Sequence, residues 1–170
     1  MVDAAAILDA ASEDDARFHL QRCCGAASWV AGMLARRPYG SSAALSAAAD
    51  EVLERMSPAD YVEAFAHHPR IGEDARRMAE RFTSTAAWST DEQSAVGAAS
   101  GDVLDALRDA NAAYERRFGF IFIVCAAGLG AHAMIDRIAA RMGNPPDVEL
   151  RVAGRELARI TKKRLEKIAP

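Results

Sequence analysis

Apolar residues in the first third of this chain recur mainly at steps of three and four, the spacing that places them on one face of an α-helix. Ser12 can cap the first such helix. Trp29 and Met33 fall on one side of the next, and the stretch "RPYG" ends it. Ser41 or Ser42 then opens an alanine-rich helix. The pattern therefore begins as a series of helices joined by short turns.

The pair Ser57-Pro58 is a strong helix start, because serine suits the N-cap and proline suits the first turn. Phe65 and His68 follow at helical spacing. Pro69 ends the run, since a proline disfavours the α conformation of the residue before it. We therefore predict that this helix stops at a pair of adjacent histidines.

The rest of the chain predicts helices over about 73–82, 90–99, 102–117, 131–142 and 147–168. The stretch "FGFIFIVCAAG" (118–128) is apolar without a helical period, so it could be a buried extended segment or a buried helix. The whole pattern predicts a single all-α domain over residues 1–170. We expect a bundle of about eight to nine helices, with one short buried extended segment near 120–127.

Composition supports this fold class and excludes several partners. The chain has 170 residues, 51% of them hydrophobic, and much of that share is alanine, the best helix former. A net charge of −3 gives no reason to expect nucleic acid or an anionic membrane as a partner. Three cysteines, two of them adjacent, do not indicate a disulfide framework. We expect a cytoplasmic protein.

The histidine pair His67 and His68 is the first candidate site. Adjacent helical residues point about 100° apart, so the two imidazoles cannot serve one site equally. A histidine at a helix C-terminus is also favoured by the helix dipole alone, without any chemical role. The sequence contains no HxxxH, HExxH or CxxC spacing, so no metal site is predicted.

Two further stretches carry polar groups in informative places. Ser89 to Glu92 matches the S-x-x-E capping box of a helix start, and such a start could also offer backbone N–H groups to a polar ligand. On the final predicted helix, Arg164 falls on the apolar side with Leu157 and Ile160. It could extend from the core edge to water, or pair with a carboxylate of the protein or of a ligand.

Taken in order, these segments resemble the family of 2-oxo-4-hydroxy-4-carboxy-5-ureidoimidazoline (OHCU) decarboxylases. The resemblance rests on "CCGAASWVAGMLARRPY", "HPRIG", Ser89 with Glu92-Gln93, "NAAYERRFGFIFIVCAAG" and "ELRVAGRELARITKKRL". Each motif alone is weak, whereas five in the right order are strong. They cover most of the chain.

This resemblance implies an all-α domain, commonly a homodimer, with its site in a cleft between helices. The implied reaction removes CO2 from the ureidoimidazoline acid to give (S)-allantoin in urate breakdown. His68 takes the place of the catalytic histidine, and Glu92 and Arg164 take the places of the acidic and basic site residues. Substrate contacts are implied for Pro69, Ser89, Gln93, Phe122, Ile123, Val124, Cys125 and Ala126.

The chemistry requires no metal or organic cofactor if the substrate ring itself accepts the electrons left by CO2. It does require a nearby group that exchanges protons near neutral pH, as histidine does. Two alternatives remain open. One is a different small-molecule decarboxylase or lyase on the same scaffold, and the other is a non-enzymatic helical module that binds a partner helix.

Overall fold

A computed structural model describes residues 3–72, 84–96 and 99–169. Within these residues the chain forms nine helices and no strand, so the prediction of an all-α fold is confirmed. The described residues divide into two compact units, one from Met1–His67 with Leu157–Pro170 and the other from His68–Glu156. A single domain over 1–170 stays a prediction.

The first unit contains five helices and the second half of the last one. These five are α1 (Ala4–Ala10), α2 (Glu13–Cys23), α3 (Ala27–Leu34), α4 (Ser42–Glu54) and α5 (Pro58–Ala66). Helix α3 packs on α2 and on α4, and the Trp29 indole donates a hydrogen bond to the Ala49 carbonyl of α4 at 3.4 Å. The apolar faces of these helices meet in a core that contains Leu8, Leu20, Trp29, Met33, Phe65 and Leu157.

Serine caps set the starts of three of these helices, as the sequence predicts. The hydroxyl oxygens of Ser12, Ser41 and Ser57 each accept a hydrogen bond from the backbone N–H three residues ahead. Ser57 forms a complete capping box, because the Asp60 carboxylate accepts the Ser57 backbone N–H at 2.7 Å. Helix α1 was not among the predicted elements.

The second unit contains α6 (Ala86–Glu92), α7 (Gly101–Phe118), α8 (Ala131–Arg141) and the first half of α9 (Pro146–Glu166). Helix α7 packs extensively on α8. It ends at Gly119, whose φ of 77° lies in the left-handed region that glycine adopts without steric cost. The core of this unit contains Leu107, Tyr114, Phe122, Met134 and Ile138.

The stretch after α7 is neither helical nor paired as a strand over residues 121–126, although most of it is buried. This agrees with the extended alternative for that stretch. The predicted helix over 90–99 is wrong: α6 begins at Ala86 and its C-cap is Gln93. The predicted helix over 73–82 lies outside the described residues.

Candidate active site

His68 lies just beyond the end of α5. The helix ends at Ala66, and His67 is its C-cap, with φ −85° and ψ 4°. His68 has left the helix and is 6% exposed, and Pro69 is buried too. Proline therefore ends the run as predicted, but the helix stops two residues before His68 rather than at it.

The three residues that follow Pro69 run along α7 in steps of one helical turn. The Arg70 guanidinium donates to both carboxylate oxygens of Glu115, at 2.9 and 2.7 Å. The Ile71 carbonyl accepts from the Asn111 amide at 3.1 Å. A β-carbon added at Gly72 would lie 3.3 Å from the Leu107 side chain. Because positions 107, 111 and 115 are four apart, one face of α7 fixes this backbone.

Gln93 joins the second motif to the first. Its side-chain oxygen accepts the backbone N–H of Gly72 at 3.0 Å, across 21 residues of sequence. Gln93 is the C-cap of α6, and both Glu92 and Gln93 are half-buried. The segment that carries His68 and the segment that carries Glu92 are therefore bonded to each other within one unit.

The predicted capping box at Ser89 to Glu92 is wrong. Ser89 lies inside α6, four residues after its N-cap Thr85, and is fully buried. Glu92 is the last residue of the helix, so this end presents backbone carbonyls rather than N–H groups. A ligand at Glu92 would meet a carboxylate and the negative end of a helix dipole, which suits N–H donors.

The backbone of the segment over 121–126 is held by two charged side chains that sequence reasoning missed. Arg141 donates to the Ile123 carbonyl at 2.8 Å. Glu156 accepts the Cys125 backbone N–H at 2.9 Å. The Arg141 guanidinium also lies over the Phe122 ring, 4.5 Å from its centre, at a cation–π distance. These contacts account for polar backbone groups that a buried irregular segment must satisfy.

Arg141 belongs to a buried polar cluster. It pairs with Glu149, whose side chain is fully buried, at 2.5 Å. Tyr114 donates its hydroxyl to Glu149, and the Asn144 amide donates to the other carboxylate oxygen at 2.7 Å. Burial, and then the bond to Glu149, raise the pKa of Tyr114 well above its usual value, so its hydroxyl stays a donor.

Arg164 belongs to the first unit, which contains Met1–His67 and Leu157–Pro170, and it is 1% exposed. Its guanidinium donates to the carbonyl of Arg22, in the last turn of α2, at 3.3 Å. The alternative in which Arg164 extends from the core edge to water is therefore wrong. The C-terminus of α2 favours a buried guanidinium, because its last carbonyls have no partner within the helix and the helix dipole is negative there.

Gly72→Ala is expected to lower the free energy of unfolding by about 1–2 kcal/mol, the cost of a left-handed conformation for an L-residue. Gly72 has φ +77°. Urea titration measures this change. Gly143→Ala is the matched control, because Gly143 lacks a positive φ and nothing lies within 4 Å of an added β-carbon. Equal costs for the two variants would contradict this account of the turn.

Among the residues that the structure describes, no group of three or more His, Cys, Asp or Glu side chains is arranged to hold a metal ion. In the same residues, no helix is long and apolar enough to cross a membrane.

Sequence and structure comparisons identify relatives across most of the chain. Residues 9–166 match a protein-family model described as OHCU decarboxylase. The chain is 34% identical over 147 residues to the uric acid degradation bifunctional protein TTL of Arabidopsis thaliana, covering 86% of this chain and 45% of that protein. It is 32% identical over 142 residues to the 2-oxo-4-hydroxy-4-carboxy-5-ureidoimidazoline decarboxylase of Amia calva, covering 82% of this chain and 78% of that protein.

Solved structures agree with these matches. A crystal structure of OHCU decarboxylase in the presence of (S)-allantoin superposes with a TM-score of 0.76 at 27% identity, covering 92% of this chain and 97% of that one. A structure of (S)-allantoin synthase has a TM-score of 0.67 at 18% identity, covering 96% and 53%, and supports the fold alone. The predicted family and its enzyme class, a carboxy-lyase, are confirmed. This chain belongs to the OHCU decarboxylase family.

Proposed function

We propose that this chain decarboxylates 2-oxo-4-hydroxy-4-carboxy-5-ureidoimidazoline to (S)-allantoin and CO2 in urate degradation, with His68, Glu92 and Arg164 as its catalytic residues. The observation that carries the proposal is the hydrogen bond between the Gly72 N–H and the Gln93 side chain. It joins the His-Pro motif to the S-x-x-E-Q motif. This direct contact between the two motifs supports their assignment to one site.

The reaction breaks the bond between a ring carbon and the carboxylate. That carbon also carries the hydroxyl, and the neighbouring ring carbon carries the ureido group. As CO2 departs, the electron pair of the broken bond moves toward the adjoining ring C=N bond, whose nitrogen takes up a proton. The hydroxyl then loses its proton and becomes the carbonyl of the product, while a proton is delivered to one face of the ureido-bearing carbon. A positioned acid–base group typically accelerates such transfers by about 10²–10⁴-fold. His68 supplies that group: it interacts with the substrate hydroxyl or carboxylate as CO2 leaves and controls the face that is protonated.

Glu92 and Arg164 have complementary roles in this proposal. An ionised carboxylate only accepts hydrogen bonds, so Glu92 holds ureido or ring N–H groups. The planar guanidinium of Arg164 pairs with an anionic or carbonyl oxygen, for which its fixed fork is better suited than an ammonium. Both assignments follow the family resemblance and are compatible with the half-buried carboxylate and the buried guanidinium.

The remaining substrate contacts are assigned to Pro69, Ser89, Gln93 and the backbone of residues 122–126. The Gln93 oxygen already accepts from Gly72, so its amide nitrogen is the group that can donate to substrate. The Cys125 N–H already donates to Glu156. A substrate oxygen that binds this N–H must therefore displace the Glu156 carboxylate or share the donor with it.

Two rival functions make different predictions. Another decarboxylase or lyase on this scaffold would use the same three side chains on a different acid. A helical binding module would need none of them, and the family match disfavours it. A homodimer in the cytoplasm, acting without metal or organic cofactor, completes the proposal.

The activity is tested by generating the unstable substrate in situ from urate with the two upstream enzymes and measuring CO2 release. We expect this protein to accelerate release over the uncatalysed reaction, and EDTA to leave that rate unchanged. Acceleration that also occurs with unrelated β-keto acids would favour the rival decarboxylase. A rate equal to the blank would contradict the proposal.

A further inference from the structure

The turn between α2 and α3, residues 24–26, begins at the second of the adjacent cysteines of the first motif and has no role in the function proposed above. Cys24 in this turn is buried, and burial raises the pKa of its thiol to about 12. The thiol is therefore neutral near pH 7 and is not a nucleophile in the folded protein. A different feature of the same turn, the absence of a side chain at Gly25, has a structural consequence.

Gly25 lies directly against His67. A β-carbon added at Gly25 would be 2.1 Å from Cγ of His67 and 2.4 Å from its Cβ. Real β-carbons do not approach other atoms so closely, and the atoms concerned are at the base of the imidazole, where rotation about χ1 cannot move Cβ away. The contact therefore requires glycine at position 25 for steric reasons, although its φ is ordinary.

The turn is itself anchored to the unit around it. Arg22, two residues before the turn, accepts through its carbonyl a hydrogen bond from the buried Arg164 at 3.3 Å. Ala27, which follows the turn, donates its backbone N–H to Glu63 of α5 at 3.3 Å. Because both sides of the turn are bonded, the backbone at Gly25 is a fixed surface for His67 rather than one that yields to it.

His67 is the C-cap of α5 and is bonded directly to His68. Whatever fixes the backbone of His67 also fixes the point from which the chain continues into His68. We propose that Gly25 is a positioning residue for the decarboxylation: it acts through its contact with His67 to set the position of the catalytic His68. This inference rests on the proposed function.

The first test is Gly25→Ala, which forces His67 and the end of α5 to shift. A misplacement of about 1 Å in a catalytic group can cost roughly 10²-fold in rate. We expect kcat to fall by about 10- to 100-fold, measured at a temperature where circular dichroism shows the variant fully folded. An unchanged kcat in a folded Gly25→Ala variant would overturn the inference.

Second-site changes at His67 separate positioning from general damage. In Gly25→Ala/His67→Gly the clash is gone, and we expect kcat to return to that of His67→Gly alone. In Gly25→Ala/His67→Ala the clash remains and kcat should stay low. The reason is that the Cβ at position 67, which alanine keeps, lies 2.4 Å from the added β-carbon. If kcat recovers in neither double variant, or equally in both, the contact between Gly25 and His67 is not the cause of the loss.

An NMR readout keeps this test independent of turnover. The chain has four histidines, so ring ¹³C–¹H signals can be assigned by single substitutions. The chemical shift of the His68 ring should change in Gly25→Ala. In Gly25→Ala/His67→Gly it should match that of His67→Gly alone, and in Gly25→Ala/His67→Ala it should differ from that of His67→Ala alone. An inactive wild-type protein would instead refute the proposed function. If the wild type is active and the His68 chemical shift is the same in Gly25→Ala, only the positioning role is refuted.

If Gly25→Ala does not fold, the single variant His67→Gly decides. It removes the ring and the Cβ that rest on Gly25, and we expect a several-fold lower kcat with an unchanged melting temperature. A kcat equal to that of the wild-type protein would then overturn the inference.

Discussion

Replacing His68 with asparagine is expected to lower kcat by about 10²–10⁴-fold, the contribution typical of a positioned acid–base group. Asparagine keeps the side chain polar and of similar reach but cannot exchange a proton. His68 is 6% exposed and has already left α5, so the helix does not depend on its side chain. Turnover of in situ substrate and far-ultraviolet circular dichroism measure activity and folding together.

His132→Asn is the matched control. His132 is exposed on α8, and no catalytic role is assigned to it. We expect this variant to keep the wild-type kcat. Near-normal turnover in His68→Asn, or an equal loss in both variants, would show that His68 is not the catalytic histidine.

Arg141→Met is expected to lower the free energy of unfolding by about 3–5 kcal/mol, because it leaves a buried charge without its partner. The side chain of Glu149 is fully buried and that of Arg141 is 12% exposed. The same change removes the donor to the Ile123 carbonyl and so releases one of the bonds that hold residues 121–126. Urea unfolding, followed by circular dichroism, measures the loss.

An exposed ion pair on α9 provides the control for this loss. Arg151 and Asp147 pair at 3.0 Å with side chains 62% and 69% exposed, and such pairs contribute about 0.3–0.5 kcal/mol. Arg151→Met should therefore change stability only slightly. In Arg141→Met/Glu149→Met neither charge is left unpaired, and stability should recover in part. Similar costs for Arg141→Met and Arg151→Met would contradict the buried pair.

Local signals were predictable from the sequence because their causes lie within a few residues. The N-cap at Ser57 and the break before Pro69 need only neighbouring residues to form. The same reasoning failed at Ser89, where the S-x-x-E pattern is present but the helix begins earlier, after Thr85. A pattern such as S-x-x-E fixes only two of four residues and so recurs by chance. Only the backbone geometry shows whether its serine caps a helix start or lies inside a helix.

Contacts between distant segments could not be predicted in this way. Nothing in the local sequence around Arg141 indicates that it pairs with Glu149 and bonds Ile123, since each partner comes from a different element. The close approach of Gly25 to His67, 42 positions along the chain, is equally invisible to periodicity. Arg164 is an intermediate case: its place among apolar residues left burial and extension to water as alternatives, and the structure buries it.

The central claim is that this chain converts the ureidoimidazoline acid into one enantiomer of allantoin. It is tested most directly by following the circular dichroism of allantoin while the substrate is generated in situ from urate. Spontaneous decay gives a racemate without a signal. We predict that the wild-type protein produces the spectrum of (S)-allantoin and that His68→Asn does not. A racemic product, formed at the uncatalysed rate in the presence of the folded wild-type protein, would contradict the account.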